Sequence, residues 1–237
     1  WSSDVCSSDL AEGALPATPG EDPAALYTDG VRRIEAKDST GVDTLRRAAN
    51  LGYAPAQFYL AKLYETGDAG LKKDIAQARR WTERAAQAGD RRAMHNLGLY
   101  YFEGAGGPKN SNTAAQWFRR AADLGLADSQ YNLARLYEEG MGVSQNGAEA
   151  YKWYLIAAKN GDGESQKSAT RVKPQLSAEA QTAAQRSAAG FRPATANPSQ
   201  AASAARPYDA LVIGGGVIQT VKQDGAGLER GEYGHRL

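Results

Sequence analysis

One set of residue types recurs along this chain every 36 to 37 residues, and a period of that length restricts the fold to stacked supersecondary units. Leu60, Leu97 and Leu133 are spaced by 37 and 36 residues, as are Tyr64, Tyr101 and Tyr137 and the glycines Gly67, Gly104 and Gly140. A second glycine column, Gly52, Gly89, Gly125 and Gly161, runs 37, 36 and 36, whereas Trp81, Trp117 and Trp153 are 36 apart throughout. The single extra residue therefore lies between Gly67 and Trp81, in a loop, where insertion costs little.

Each period reads as two helices. Ala56, Leu60, Ala61 and Tyr64 fall at i, i+4, i+5 and i+8, one face of a helix (helix A) that stops at Gly67. Asp74, Asn110 and Asn146 hold equivalent places before the next apolar face, where a short side-chain acceptor caps exposed backbone N–H groups. In the helix that follows (helix B), Ala78, Trp81 and Ala85 repeat as Ala114, Trp117 and Ala121 and as Ala150, Trp153 and Ala157, so a small residue flanks each large ring. Helix B ends at the second glycine column, where a left-handed position suits a residue without Cβ. A lone hairpin of this kind cannot bury its apolar face, so the units must stack into a solenoid.

The pattern A-x-x-x-L-[GA]-x-x-Y-x-x-G followed by A-x-x-W-[YF]-x-x-A-A-x-x-G resembles the Sel-like repeat family, relatives of tetratricopeptide repeats, over Gly52 to Glu164. Thr82 departs from it by replacing the aromatic residue after Trp81, and is expected to loosen the first interface. The resemblance implies an all-α, right-handed superhelical solenoid of helix-turn-helix repeats that binds protein and carries no active site. Upstream, Ala24 to Gly52 keeps Leu45, Ala48, Ala49 and Gly52 around a short connection at Lys37 to Gly41 and reads as a degenerate first repeat, so the solenoid is expected over 22–164. Leu176, Ala180, Ala183, Ala184 and Phe191 share one face of an expected capping helix over 165–192, ahead of an Ala/Pro/Ser linker at 193–207. Arg80 to Arg192 also resembles the repeat region of bacterial cell-polarity localisation factors. In those proteins such repeats lie in the periplasm ahead of a peptidoglycan-binding module. That resemblance implies a periplasmic or envelope location, with the cytoplasm as the alternative, and a peptidoglycan partner through a module this chain lacks.

Other chemistries are disfavoured. The balance of 28 basic against 27 acidic residues gives no argument for nucleic acid. The longest apolar run, Ala210 to Ile218, contains three glycines and falls far short of the roughly 20 residues a membrane span needs. Residues 1–10, WSSDVCSSDL, match a translated sequencing adapter and are set aside as a scar along with Cys6, the only cysteine; 11–21 reads as a disordered lead. The loop from Gly104 to Lys109 lacks the order of a phosphate-binding loop and matches the place of Gly140 to Gln145 in the next repeat. Tyr208 to Gly216 resembles the first strand and turn of a dinucleotide-binding flavoprotein, but Gln219 stands where a third glycine belongs, so 208–237 is expected to be a truncated or frame-shifted end. His95 and His235, the only histidines, have no partner at ligand spacing, and no metal, cofactor or catalytic set is expected.

What remains is a binding surface. Carrying the tetratricopeptide frame onto helix A places Phe58, Lys62 and Glu65, then His95, Leu99 and Phe102, then Tyr131, Arg135 and Glu138 along a concave groove. Aromatic side chains beside mixed charges would take a protein or peptide partner. The rival readings are an envelope anchor and a fragment of a flavin or dinucleotide enzyme.

Overall fold

The computed structural model describes residues 20–195 and the backbone of 211–214 and 217–220. Its helices are α1 (Pro23–Glu35), α2 (Gly41–Asn50), α3 (Ala54–Thr66), α4 (Ile75–Gln87), α5 (Arg91–Glu103), α6 (Ser111–Asp123), α7 (Ala127–Glu139), α8 (Gly147–Lys159), α9 (Gly163–Val172) and α10 (Ala178–Gly190), with a 3-10 turn at Lys173–Gln175. Helices α3 to α8 form three hairpins of 13-residue helices, and each helix packs on the next in sequence. Residues 20–195 make an all-α solenoid.

The helix boundaries follow from local chemistry. Asp74, Asn110 and Asn146 are in extended conformation and accept 3.0 Å bonds from the N–H groups of Gln77, Thr113 and Glu149, capping α4, α6 and α8. At the end of α6, Gly125 takes φ 85°, its N–H donates to Ala122 O and that of Leu126 to Ala121 O, the paired bonds of a Schellman motif.

Small residues set the spacing between helices. Ala78, Ala85, Ala114, Ala121, Ala150 and Ala157 are all buried, as are Leu60, Leu97 and Leu133. Buried Gln57 and Gln130 at the start of α3 and α7 donate to Ala49 O and Ala122 O, 3.0 and 3.1 Å away, tying each helix A to the preceding helix B; Met94 fills that place in α5.

The three indoles, expected to be equivalent, are not. Trp81 and Trp153 are buried, whereas Trp117 is half-buried and its neighbour Phe118 is the fully buried ring. Phe118 lies on Gly98, where an added Cβ would come within 2.7 Å of the ring. The equivalent pair in the first repeat is Ala61 and Thr82, so volume has moved from one side of the contact to the other. Thr82 is nonetheless buried.

The loops that join helix A to helix B within a repeat pack on the first turn of the preceding repeat's helix B. An added Cβ on Gly106 (φ 67°) would come within 2.5 Å of Ile75 O, and one on Gly142 (φ 71°) within 2.2 Å of Ser111 O. Buried Arg79 grips the same loop through Ala105 O at 3.2 Å and Pro108 O at 3.3 Å, stacked 4.1 Å from the Tyr101 ring centre. The loop from Gly104 to Lys109 is thus a packing element.

Residues 165–192 hold two helices in place of the single capping helix expected. Helix α9 repeats the helix A pattern, and α10 runs parallel to α8, with Leu176 beside Gly147, Gln185 bonded to the Tyr151 hydroxyl and Phe191 on Trp153. Its buried face is Ala184 and Ala188, with Ala183 exposed. Leu176 covers the start of α8 where Gly106 and Gly142 cover α4 and α6. In the tail, Leu211–Gly214 pairs antiparallel with Val217–Thr220, so a strand follows where a dinucleotide fold needs a helix. The adapter match, most of the lead and linker, and the rest of the tail lie outside the described residues.

Gly142→Ala is expected to destabilise the array by more than the ~1 to 2 kcal/mol of left-handed strain alone. Gly161→Ala, with φ 90° but nothing within 4 Å of its added Cβ, should cost only the strain. Urea midpoints of the two variants decide the point, and equal losses would mean that the loop yields freely. By the same measurement Phe118→Ala should cost about 3 to 5 kcal/mol and Trp117→Ala clearly less.

Candidate functional site

Positions i, i+4 and i+7 share one face of a helix, so Phe58, Lys62 and Glu65 on α3, His95, Leu99 and Phe102 on α5, and Tyr131, Arg135 and Glu138 on α7 form three equivalent rows. The structure divides them. His95 is 3% exposed, with Nδ1 2.8 Å from Ser129 Oγ and its ring 5.6 Å from that of Phe118, and Leu99 is 9% exposed within the core. These two support the wall from behind, and the middle row reaches the surface through Phe102.

The aromatic residues that do reach the surface are half-buried and covered. The Arg92 guanidinium stands 5.4 Å from the Phe58 ring, Lys109 Nζ 5.0 Å from Phe102, and the Tyr154 ring 5.7 Å from Tyr131. Among the described residues the large apolar side chain that stands exposed is Leu51, 38% exposed at the end of α2.

The charges along these rows are largely satisfied within the array. Lys62 pairs with Glu65 one turn away, and Arg135 with Glu139 at 2.7 Å. Glu138 accepts from both terminal nitrogens of Arg171 on α9, one bond measuring 3.0 Å, and from the Tyr154 hydroxyl at 2.8 Å. The Arg171 guanidinium holds the Glu138 carboxyl below the usual carboxylate range, against a smaller opposing effect of burial. Burial, then the adjoining Glu138, pushes the Tyr154 phenol up; burial does the same at Tyr100, beside Glu65. Arg171 was not among the residues expected here, yet it lies 36 residues after Arg135, so the period itself carried the signal. Tyr154 stands in the aromatic column after the tryptophans, whereas Arg92 and Lys109 become visible only in three dimensions.

Among the described residues there is no group of three or more His, Cys, Asp or Glu side chains able to hold a metal ion. No described helix is long and apolar enough to cross a membrane.

The family model of the Sel1 repeat matches residues 54–90, 91–126 and 127–162, the spans of the α3–α4, α5–α6 and α7–α8 hairpins. The chain carries three Sel1 repeats. Over 74 residues, 31% of its length, it is 60% identical to the localization factor PodJL of Caulobacter vibrioides, in strains NA1000 / CB15N and ATCC 19089 / CIP 103742 / CB 15. That match spans only 8% of those relatives' length. The fold resembles the crystal structure of a Sel1 repeat protein from Oxalobacter formigenes, with TM-score 0.61 and 28% identity over 72% of this chain and 74% of that one. A further similar structure is c5321, a protective antigen present in uropathogenic Escherichia coli strains displaying an SLR fold, with TM-score 0.45, 22% identity and coverage of 82% and 50%. The Sel1 repeats here are a scaffold: they set side chains of chosen type at a fixed spacing on rigid hairpins.

Because the Glu138 carboxyl is held below its unfolded value, it contributes stability above that value, and the contribution is lost as pH falls through the folded one. Glu138→Gln should lower the melting temperature at pH 7, and the difference from wild type should shrink on acidification through the carboxylate range. A difference independent of pH would mean that the Arg171 tie is not what Glu138 contributes.

Proposed function

We propose that the Sel1 array is a non-catalytic scaffold that binds a segment of another protein along the helix A face. The observation that carries this reading is the placement of Phe58, Phe102 and Tyr131 on three successive helix A segments, each half-buried with a cation or a ring beside it. Long cations such as Arg92 and Lys109 can swing away from a ring at little cost, so an incoming apolar side chain replaces a cation on the aromatic face. Lys62, Glu65, Arg135 and Glu138, already held by their neighbours, would set the direction of the partner, since charges at the rim of an interface govern specificity and association more than affinity. His95 and Leu99 keep the wall rigid from inside.

The 60% identity with a stretch of a localization factor supports a role in positioning other proteins within the cell, and a part in cell-polarity organisation belongs to this proposal. A periplasmic or envelope location is the part of it that rests on the resemblance alone.

Partners recovered by cross-linking in cells provide the test. Phe102→Ala or Tyr131→Ala should weaken binding by about 1 to 2 kcal/mol, as truncation of an aromatic anchor does. Thermal stability is measured on the same variants. Unchanged affinity in a fully folded double variant would remove the helix A face as the site, and loss of affinity together with a large drop in stability would make these side chains core.

A further inference from the structure

The other face of the array, made by the helix B segments, carries two guanidinium groups that stack on indoles and pair with no described carboxylate. Arg84 lies over the ring of Trp81, 4.8 Å from its centre, and Arg120 over Trp117 at 4.3 Å, so the same residue pair sits at the same place in two consecutive repeats. Neither guanidinium forms an ion pair with a described carboxylate; Arg84 is half-buried and Arg120 exposed. Stacking on an indole fixes the plane of a guanidinium and leaves its edge N–H groups free to donate.

Both ends of this face are covered, and the coverings show what it accepts. Arg47, which holds the equivalent place in α2, is paired with Glu21, a carboxylate just ahead of α1. At the other end the equivalent residue is Ile156, and an aromatic side chain, Phe191, stands edge-on to Trp153 with ring centres 5.6 Å apart. From Phe191 the chain crosses to the preceding repeat, where the Ala194 N–H donates to Asp123 O at the end of α6 at 2.8 Å. Neighbouring helices pack 8–10 Å apart and extended chain advances about 3.3 Å per residue, so three residues per repeat is the expected stride. Residues 191 to 194 take that stride.

Moving this path back by one repeat places an anchor residue on Trp117 and Arg120, and a backbone N–H three residues later on Gln87 O at the end of α4. That carbonyl receives no hydrogen bond from a described residue. We propose that the helix B face of the first two Sel1 repeats docks an extended, acidic peptide segment of a partner protein. One carboxylate meets Arg120, and the residue about three positions on brings a second to Arg84 while its own N–H bonds the end of α4. The C-terminal ends of helices repel carboxylates, and the arginine in the last turn of α4 and of α6 offsets this, as Arg47 does for Glu21 at α2.

The probe is a peptide copying residues 188–195 with Phe191→Glu, Arg192→Ser and Ala194→Glu, titrated into isotopically labelled full chain and followed by amide and arginine side-chain NMR shifts. Saturable shifts in the last turns of α4 and α6 are expected below ~1 mM peptide, with affinity falling by about tenfold or more in Arg84→Gln/Arg120→Gln. The unmodified 188–195 copy should bind at least about tenfold more weakly. A retained melting temperature in the double variant separates lost binding from lost fold. No saturable shifts at that concentration, shifts confined to the helix A face, or equal affinity for the double variant would each overturn the proposal.

Discussion

A helical hairpin of this size has no interior of its own, and everything else in the molecule follows from that. Leu60, Leu97, Leu133 and the alanines of helix B are buried only because another hairpin lies against each. Close approach comes from absence of bulk, so the contact leaves little room for adjustment. Where a ring enlarges on one side, as Phe118 does, its partner shrinks to Gly98; where the ring is missing, Thr82 is buried in its place and the partner is Ala61. Interfaces tuned in this pairwise manner make each repeat complementary to its actual neighbour and only roughly to the others.

The ends of such an array are its weakest points, because the outermost hairpins would expose the faces that stacking buries elsewhere. At the start, Tyr27 of α1 packs against Tyr53 and Tyr59 with ring centres 5.5 and 6.4 Å apart, closing the first full repeat with aromatic contacts. At the other end the chain imitates a further repeat with different parts. Helix α9 supplies a helix A, Leu176 takes the place of a loop glycine over the start of α8, and Gln185 and Phe191 hold α10 along α8. The short passage through Pro174 leaves too few residues for the usual inter-helix loop, so α10 is brought to α8 by its own side chains.

A period reports equivalence of position, and that explains what could be read in the sequence. Caps at Asp74, Asn110 and Asn146, the glycine columns and the existence of the hairpins all depend on local chemistry repeated in register, and each was visible. Exposure is a property of the neighbour. Phe58, His95 and Tyr131 occupy one column, yet only His95 has Ser129 and Phe118 positioned to enclose it, and no feature of the column itself distinguishes it. The same reasoning covers Trp117 and Phe118, whose order of burial depends on Gly98 in another helix. Helix α9 stayed hidden because its pattern is cut short after Val172, although Arg171 and Val172 keep the spacing from Arg135 and Leu136.

The two faces of the array use charge differently, and this has consequences for what each can recognise. On the helix A side, Lys62 with Glu65, Arg135 with Glu139 and Glu138 with Arg171 are already paired, so a partner there gains little from bringing opposite charge and is selected by shape and apolar fit. On the helix B side, Arg84 and Arg120 rest on indoles without a carboxylate, and a partner gains Coulomb energy directly. Salt screens exposed charges beyond a Debye length of about 8 Å at physiological strength, so ionic strength should act strongly on the second face and weakly on the first. The pairing is local on both faces, since Arg119 and Lys152 of the helix B side meet Glu149, and it is at Arg84 and Arg120 that a cation is left for a partner's carboxylate.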